Sequence, residues 1–197
     1  MKRRIEVKIC GLTSLDDALM ALEAGADYLG FVLYPKSPRC VRLEKLRKMA
    51  SALPASARLV GVFVNERRAV VEQVAAECRL HAVQLHGDEE VARFERMEVA
   101  SWRAVWFRDG VWQPDPAAWP AACYVIDAAS RGIYGGAGAR ADWPAAAGLA
   151  GRWPVMLAGG LTPVNVGEAI QAVRPRGVDV VSGVELEPGR KDAGKVR

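Results

Sequence analysis

The chain has 197 residues, 51% of them hydrophobic and 25% charged, and its 27 basic and 23 acidic side chains leave a net charge of +4. This composition is globular, and the basic excess lacks the concentrated stripe of a nucleic-acid-binding surface. No apolar run is long enough for a membrane span, Lys2-Arg3-Arg4 leads into an alternating segment instead of a signal-peptide core, and four cysteines without a C-x-x-C pair stand beside only two histidines, so a cytoplasmic, reduced-thiol chain without a zinc site is expected.

Residues 5–9 alternate apolar and polar and run into Cys10-Gly11, which predicts a strand with a thiol at its C-terminal tip beside a glycine turn. The plainer alternative is a small buried cysteine that closes a strand. A helix is expected to start at Thr13 or Ser14 and to run to about 24, with Leu15, Ala18, Leu19 and Leu22 on one face, Thr13 and Asp16 spaced as a capping box, and Gly25 after its end. Residues 28–33 form a nearly continuous apolar run, as in strands buried on both faces. A loop through Ser37-Pro38-Arg39 and a helix with Leu43, Leu46, Ala50 and Leu53 inward follow. Of the basic cluster Arg39, Arg42, Lys45, Arg47 and Lys48, most belong to a solvated helix face.

The third strand spans 59–64 and ends on Asn65, read as the N-cap of a helix with Val70, Val71, Val74 and Cys78 inward. The fourth, 82–85, ends in His86-Gly87-Asp88 and is followed by a helix offering Val91, Phe94 and Met97. The fifth lies near 99–105, and 106–120 reads as a loop with at most a short helix. The sixth, 124–126, ends on Asp127 before a Gly-rich loop, Gly132 to Gly138, and Asp142-Trp143-Pro144 begins a helix. The seventh, 155–158, ends in Gly159-Gly160, with Thr162-Pro163 as cap and first turn of the next helix. The eighth, near 178–181, ends in Ser182-Gly183.

Strand and helix thus alternate about eight times over residues 1–197 without a visible domain boundary. A closed TIM (β/α)8 barrel and an open doubly wound sheet both suit such alternation, and the count of eight favours one barrel domain. The short C-terminus leaves room for only a stub of the eighth helix, with an apolar flank of the barrel under-covered.

In a barrel the C-terminal strand tips converge on one site. That gathers Cys10, Arg39, Asn65, His86, Asp127, Gly159-Gly160 and Ser182-Gly183. Gly159, Gly160, Ser182 and Gly183 occupy the turns after strands seven and eight, where backbone amides surround a phosphate. Cys10 and Asp127 are a candidate base and acid: a thiolate takes a proton and a desolvated carboxyl group gives one. For Asp127 the competing role is bracing a loop. Arg39, behind a stiff Ser-Pro, is placed to grip a substrate carboxylate bidentately, with plain surface exposure as its alternative. His86 reads as structural, closing strand four against Gly87, and Gln84 points into the barrel or the pocket. Cys40, Cys78 and Cys123 read as packing residues.

Taken together, Lys8-Ile9-Cys10-Gly11, Ser37-Pro38-Arg39, Phe63-Val64-Asn65-Glu66, Val83-Gln84-Leu85-His86-Gly87, Asp127 with its glycine loop, Leu157-Ala158-Gly159-Gly160-Leu161, Val178-Asp179 through Ser182-Gly183-Val184-Glu185, and Pro188-Gly189-Arg190-Lys191-Asp192 resemble the phosphoribosylanthranilate isomerases of tryptophan biosynthesis, over Lys8 to Lys195. The resemblance implies an aldose–ketose isomerase performing an Amadori rearrangement without metal or organic cofactor. It implies Asp127 as the acid that opens the sugar ring, Cys10 as the base at C2, Arg39, Gln84 and Asp179 as substrate contacts, and Gly159, Gly160, Ser182 and Gly183 as the phosphate site. The implied partner is a small phosphorylated substrate, with no nucleic acid and no membrane, and a monomer is expected, with a dimer as the alternative. The chain departs from the family pattern at Ala137, Val181 and Ala141, where a hydroxyl, a second serine and an aromatic are common. Other readings are an epimerase, which uses paired carboxylates or a metal, an indole-glycerol-phosphate synthase, which needs a catalytic lysine, and a non-catalytic phosphate-ligand binder.

Overall fold

The computed structural model describes residues 4–128 and 140–197. In chain order the elements are β1 (Glu6–Ile9), α1 (Leu15–Glu23), β2 (Tyr28–Val32), α2 (Leu43–Ala52), β3 (Leu59–Phe63), α3 (Arg68–Glu77) and β4 (Ala82–Leu85). There follow β5 (Ala100–Arg108), β6 (Val111–Gln113), β7 (Cys123–Ile126), α4 (Trp143–Ala150), β8 (Val155–Leu157), α5 (Val166–Val173), β9 (Gly177–Val180), β10 (Glu185–Glu187), β11 (Arg190–Lys191) and α6 (Ala193–Val196). β1, β2, β3, β4, β5, β7, β8 and β9 pair in parallel in that order, and β1 with β9 completes a closed eight-stranded barrel. The open-sheet alternative is thereby excluded. The last helix, α6, is a single turn whose Val196 packs against the core.

Alternation along each strand sorts the side chains into two cores. Leu29, Phe31, Leu59, Val83 and Leu85 face outward and pack with helix residues such as Leu46, Val71 and Ala169. Tyr28, Val60, Ala82, Trp102, Cys123, Val125, Met156 and Ala158 fill the barrel. The same two-residue period stacks Lys8 below Cys10, Gln84 below His86, and Val125 below Asp127, so each strand carries one interior side chain up to the mouth. Lys8 and Asp179 are register partners on adjacent strands, which places their side chains on one interior level.

Three local expectations are corrected. α1 is capped by Ser14, whose Oγ accepts from Asp17 N at 3.2 Å, while Thr13 donates its hydroxyl to Gly189 O at 2.6 Å. Asn65 caps no helix: it sits at φ 53°, and its Oδ1 accepts from Asp88 N at 2.6 Å, tying the β3 and β4 loops together. After β4 no α-helix forms, only a 3-10 turn over Val91–Arg93. Only about 14 residues join Leu85 to Ala100, and an α-helix rising about 1.5 Å per residue would use most of them to return along the barrel. Arg103 from β5 fills the gap. Its guanidinium donates to Leu85 O at 3.0 Å and Gly87 O at 2.6 Å, pairs with Glu89, and lies 4.3 Å from the Trp119 ring centre.

The segment expected as a loop from 106 contains a hairpin. β5 runs on to Arg108 and pairs antiparallel with β6 across Asp109-Gly110, both at positive φ (51° and 80°). Asp-Gly is the favoured pair for such a two-residue turn. Asp142 does cap its helix, accepting from Ala145 N at 2.9 Å, and Ala141 is buried.

Candidate active site

A cavity opens at the C-terminal ends of the barrel strands. Cys10, Gln84, His86, Asp127 and Asp179 line it, with Arg39, Gly159, Gly160, Ser182 and Gly183 at its rim turns and loops. The residues expected as acid, base, substrate contacts and phosphate turns therefore meet in one place, while Asn65 is not part of the lining. The Gly132–Gly138 loop, with Ala137, lies outside the described residues.

Cys10 sits where β1 ends. The residue is 4% exposed, and the neighbouring strand has Gly30 beside it. A Cβ on Gly30 would lie 2.6 Å from Cys10 Sγ and 2.9 Å from Cys10 Cα, so only glycine leaves the thiol its place. Beneath Cys10 is the fully buried Lys8, whose ammonium donates to Asp179 Oδ2 at 2.7 Å and Gln84 Oε1 at 2.8 Å. Burial pushes the Cys10 thiol up, the Lys8 ammonium pulls it down and Asp179 pushes it up again, leaving it above the ordinary thiol value. Burial alone would lower Lys8, but Asp179 and Cys10 carry it above the ordinary lysine value.

Across the cavity, Asp127 follows β7. Its Oδ1 accepts from Ala128 N at 2.8 Å, and its Oδ2 lies 3.3 Å from His86 Nε2. The pair is close but off-line: among the described residues His86 Nε2 has no hydrogen-bond partner. Gln84 Nε2 stands 2.9 Å from His86 Nδ1, so the Gln84 amide is engaged at both ends. His86 was expected to serve the strand end, but its ring is a cavity wall, set edge-on to Trp106 with ring centres 5.8 Å apart. Alternation with Gln84 was the signal that placed it there. The second buried atom without a partner here is Asp179 Oδ1.

Arg39 lines the cavity, yet its bidentate edge is already engaged. Nε donates to Glu185 Oε1 at 2.9 Å and Nη2 to Glu185 Oε2 at 2.6 Å. Glu185 also accepts from Lys191 Nζ at 2.9 Å and Gly189 N at 3.2 Å. Burial raises the Glu185 carboxyl group, but its bonds to Arg39 and Lys191 carry it below the ordinary carboxylate value. The expected two-pronged grip on a substrate carboxylate is thus replaced by an internal clamp, which leaves Nη1 as the guanidinium edge without a hydrogen bond among the described residues. Glu185 and Lys191 went unnoticed as site residues because the β10–β11 hairpin brings them under the Arg39 loop only in three dimensions.

At the far rim, Gly159 and Gly160 take φ 80° and 64°, where a side chain would be strained. Gly183 lies against the preceding turn, and a Cβ there would come within 1.8 Å of Leu161 O. The two turns are packed together, and their glycines permit it. Among the described residues no group of three His, Cys, Asp or Glu side chains is arranged as metal ligands would be, and no helix is long and apolar enough to cross a membrane.

A sequence profile of the family described as "N-(5'phosphoribosyl)anthranilate (PRA) isomerase" matches residues 7–197. The chain belongs to this family. An N-(5'-phosphoribosyl)anthranilate isomerase from Geobacter metallireducens is 48% identical over 197 residues, covering 98% of this chain and 96% of its own length. Among solved structures, phosphoribosyl anthranilate isomerase from Thermus thermophilus is similar at TM-score 0.87 and 37% identity, with 98% and 95% of the two chains covered. Another phosphoribosyl anthranilate isomerase, solved in complex with reduced 1-(o-carboxyphenylamino)-1-deoxyribulose 5-phosphate, is similar at TM-score 0.83 and 36% identity, with 98% and 95% covered. Family membership and the closed barrel agree with the resemblance read from the strand-tip motifs.

Proposed function

We propose that the chain isomerises N-(5'-phosphoribosyl)anthranilate to 1-(2-carboxyphenylamino)-1-deoxyribulose 5-phosphate in tryptophan biosynthesis, with Asp127 as general acid and Cys10 as general base. The observation that carries the assignment of roles is that a thiol and a carboxyl group line one cavity from the ends of β1 and β7, which two strands, β9 and β8, separate. The proton of Asp127 goes to the ribose ring oxygen, the C1–O bond breaks, and the aniline nitrogen lone pair closes a C1=N bond. The Cys10 thiolate then removes the proton from C2, and the C–H electrons form an enol-amine. Tautomerisation moves the enol proton from oxygen to C1 and yields the ketose. Protons taken up and released balance, so the reaction is redox-neutral overall.

The phosphate is held by the turns at Gly159, Gly160, Ser182 and Gly183. Arg39 Nη1 contacts the anthranilate part, near the apolar walls Val32, Val62 and Val64. Asp179 Oδ1, buried and without a partner among the described residues, accepts a substrate hydroxyl. Gln84 supports the wall more than it reaches for substrate, since both ends of its amide are engaged. The reading includes one domain over residues 1–197 acting as a monomer in the cytoplasm. One solved relative, from Thermotoga maritima, is described as dimeric, and light scattering at twice the chain mass would replace the monomer by a dimer.

Turnover is followed by the change in anthranilate fluorescence. Cys10→Ala and Asp127→Asn are expected to lower kcat by about 10²–10⁴-fold, the range of a positioned acid or base. Full activity of Cys10→Ala sinks the base assignment, and a folded parent protein that binds substrate without turning it over sinks the isomerase reading.

A further inference from the structure

The reaction above uses Cys10 and Asp127 and leaves without a role the fully buried ammonium of Lys8, which lies beneath the cavity and bonds to Asp179 and Gln84. We infer that Lys8 is a positioning residue for both ends of the reaction: its ammonium is the counter-charge of the Cys10 thiolate, and through Gln84 it sets the ring hydrogen of His86 on Nε2, the nitrogen that faces Asp127. The inference rests on the acid–base reading of Cys10 and Asp127.

An ammonium group has three donors and no acceptor. Two of Lys8's donors go to Asp179 Oδ2 at 2.7 Å and Gln84 Oε1 at 2.8 Å, and the group also interacts with the Cys10 thiol on the level above. The charged and titratable groups facing that thiol are Lys8 from β1, Asp179 from β9 and Lys191 from β11, while His86 and Asp127 stand at the other walls of the cavity. Lys8 also exerts a weak downward pull on the Cys123 thiol through the barrel interior. Lys8 and Asp179 balance one another, so proton loss from Cys10 adds a negative charge beside a cation with no route to solvent. The pull of Lys8 on the thiol outweighs the opposing push of Asp179.

The second half follows from donor and acceptor logic. Because Lys8 can only donate, the Gln84 amide must turn its oxygen to Lys8 and its NH2 to His86. At 2.9 Å that NH2 requires a bare, accepting Nδ1, so the ring hydrogen is on Nε2. Nε2 is the buried ring atom without a partner, 3.3 Å from Asp127 Oδ2. A small rotation of either side chain aligns the contact, as happens when a substrate tightens an open site. The Nε2–H then receives the carboxylate as it forms, when the Asp127 proton leaves for the ring oxygen. The opposite tautomer would present a lone pair to a lone pair.

Two measurements without substrate test this apart from the isomerase reading. In a Cys40→Ser background, Cys10 alkylation by iodoacetamide is followed against pH. Lys8→Met/Asp179→Asn, which removes both charges together, is expected to raise the pH midpoint by at least about one unit, and Lys8→Arg to restore most of the shift. If the double variant does not fold by circular dichroism, Asp179→Asn alone is expected to lower the midpoint. An unchanged midpoint in the folded variants overturns the counter-charge role. For the tautomer, 15N shifts of the two histidine rings, assigned with His81→Gln, are expected to show His86 protonated at Nε2 in the parent and mixed in Gln84→Met. A parent ring protonated at Nδ1 overturns the second half. With substrate, Gln84→Met is expected to lower kcat about tenfold with KM changed less than about threefold. A raised KM at unchanged kcat would make Gln84 a substrate contact only. Loss of the parent's turnover with both substrate-free results intact would strike the isomerase reading and leave the Lys8 network standing.

Discussion

At Gly30 a side chain would have nowhere to go, because the space its Cβ would take is filled by the Cys10 thiol at 2.6 Å and the β1 backbone at 2.9 Å. Gly30→Ala is therefore expected to displace the thiol and lower kcat by about 10–100-fold, in keeping with the steep cost of misplacing a reacting group by an ångström; a kcat within twofold of the parent would show that the thiol tolerates the shift. The thiol also sets a pH dependence. It must lose its proton to act as base, and burial together with its charged neighbours leaves it above the ordinary thiol value of about 8.5. The base-controlled limb of kcat/KM is expected to climb as pH rises through the alkaline range, and a limb already flat at pH 7 would mean that another group is the base. Glu185→Gln weakens the clamp on Arg39 while keeping its shape. It is expected to raise KM several-fold with a smaller effect on kcat, read from steady-state kinetics.

At the scale of elements, the barrel is least regular between β4 and β7, where it has a 3-10 turn and a hairpin in place of two helices. Arg103 takes over the sealing function there, with its side chain 2% exposed and its partner Glu89 1% exposed. Removing one member of a buried pair strands the other. Arg103→Met is expected to destabilise by about 3–5 kcal/mol in urea unfolding, and Arg103→Met/Glu89→Gln to recover part of that loss. A change below about 1 kcal/mol would mean that the packing on Trp119 can be replaced without the charge. This region also separates legible from illegible sequence. Val91, Phe94 and Met97 recur every third residue, which suits a helix on paper, but the return distance along the barrel left too few residues for one. Asp109-Gly110, by contrast, carried the hairpin in plain view.

For the molecule as a whole, the shifts define a pH window of stability. Burial raises Glu6 and Glu185, but their cation partners carry both below the ordinary carboxylate value. Folded values below unfolded ones give stability that is present above about pH 4.3 and lost as pH falls through the folded values. Burial holds Cys10 above its ordinary value and pushes Cys123 up to about 12. Folded values above unfolded ones give stability that is complete below the unfolded thiol value of about 8.5 and lost as pH rises toward the folded values. Melting temperature against pH is expected to form a plateau between these limits, and Cys123→Ala to make the alkaline decline shallower. An identical alkaline slope in that variant would remove Cys123 as a cause.

The sequence by itself determined the eight strands, their two-sided burial and the polar or glycine residues that follow most of them, because alternation and turn chemistry act over a few residues. It thereby placed Cys10, Asp127, Gly159-Gly160 and Ser182-Gly183 around one mouth as soon as the barrel closed. Only the tertiary structure decided what those residues touch. Lys8 with Asp179, Arg39 with Glu185 and Cys10 with Gly30 are 171, 146 and 20 positions apart and meet through strand register and hairpin docking. Register is set by the closure of the whole sheet, to which every strand contributes and which no short stretch encodes alone.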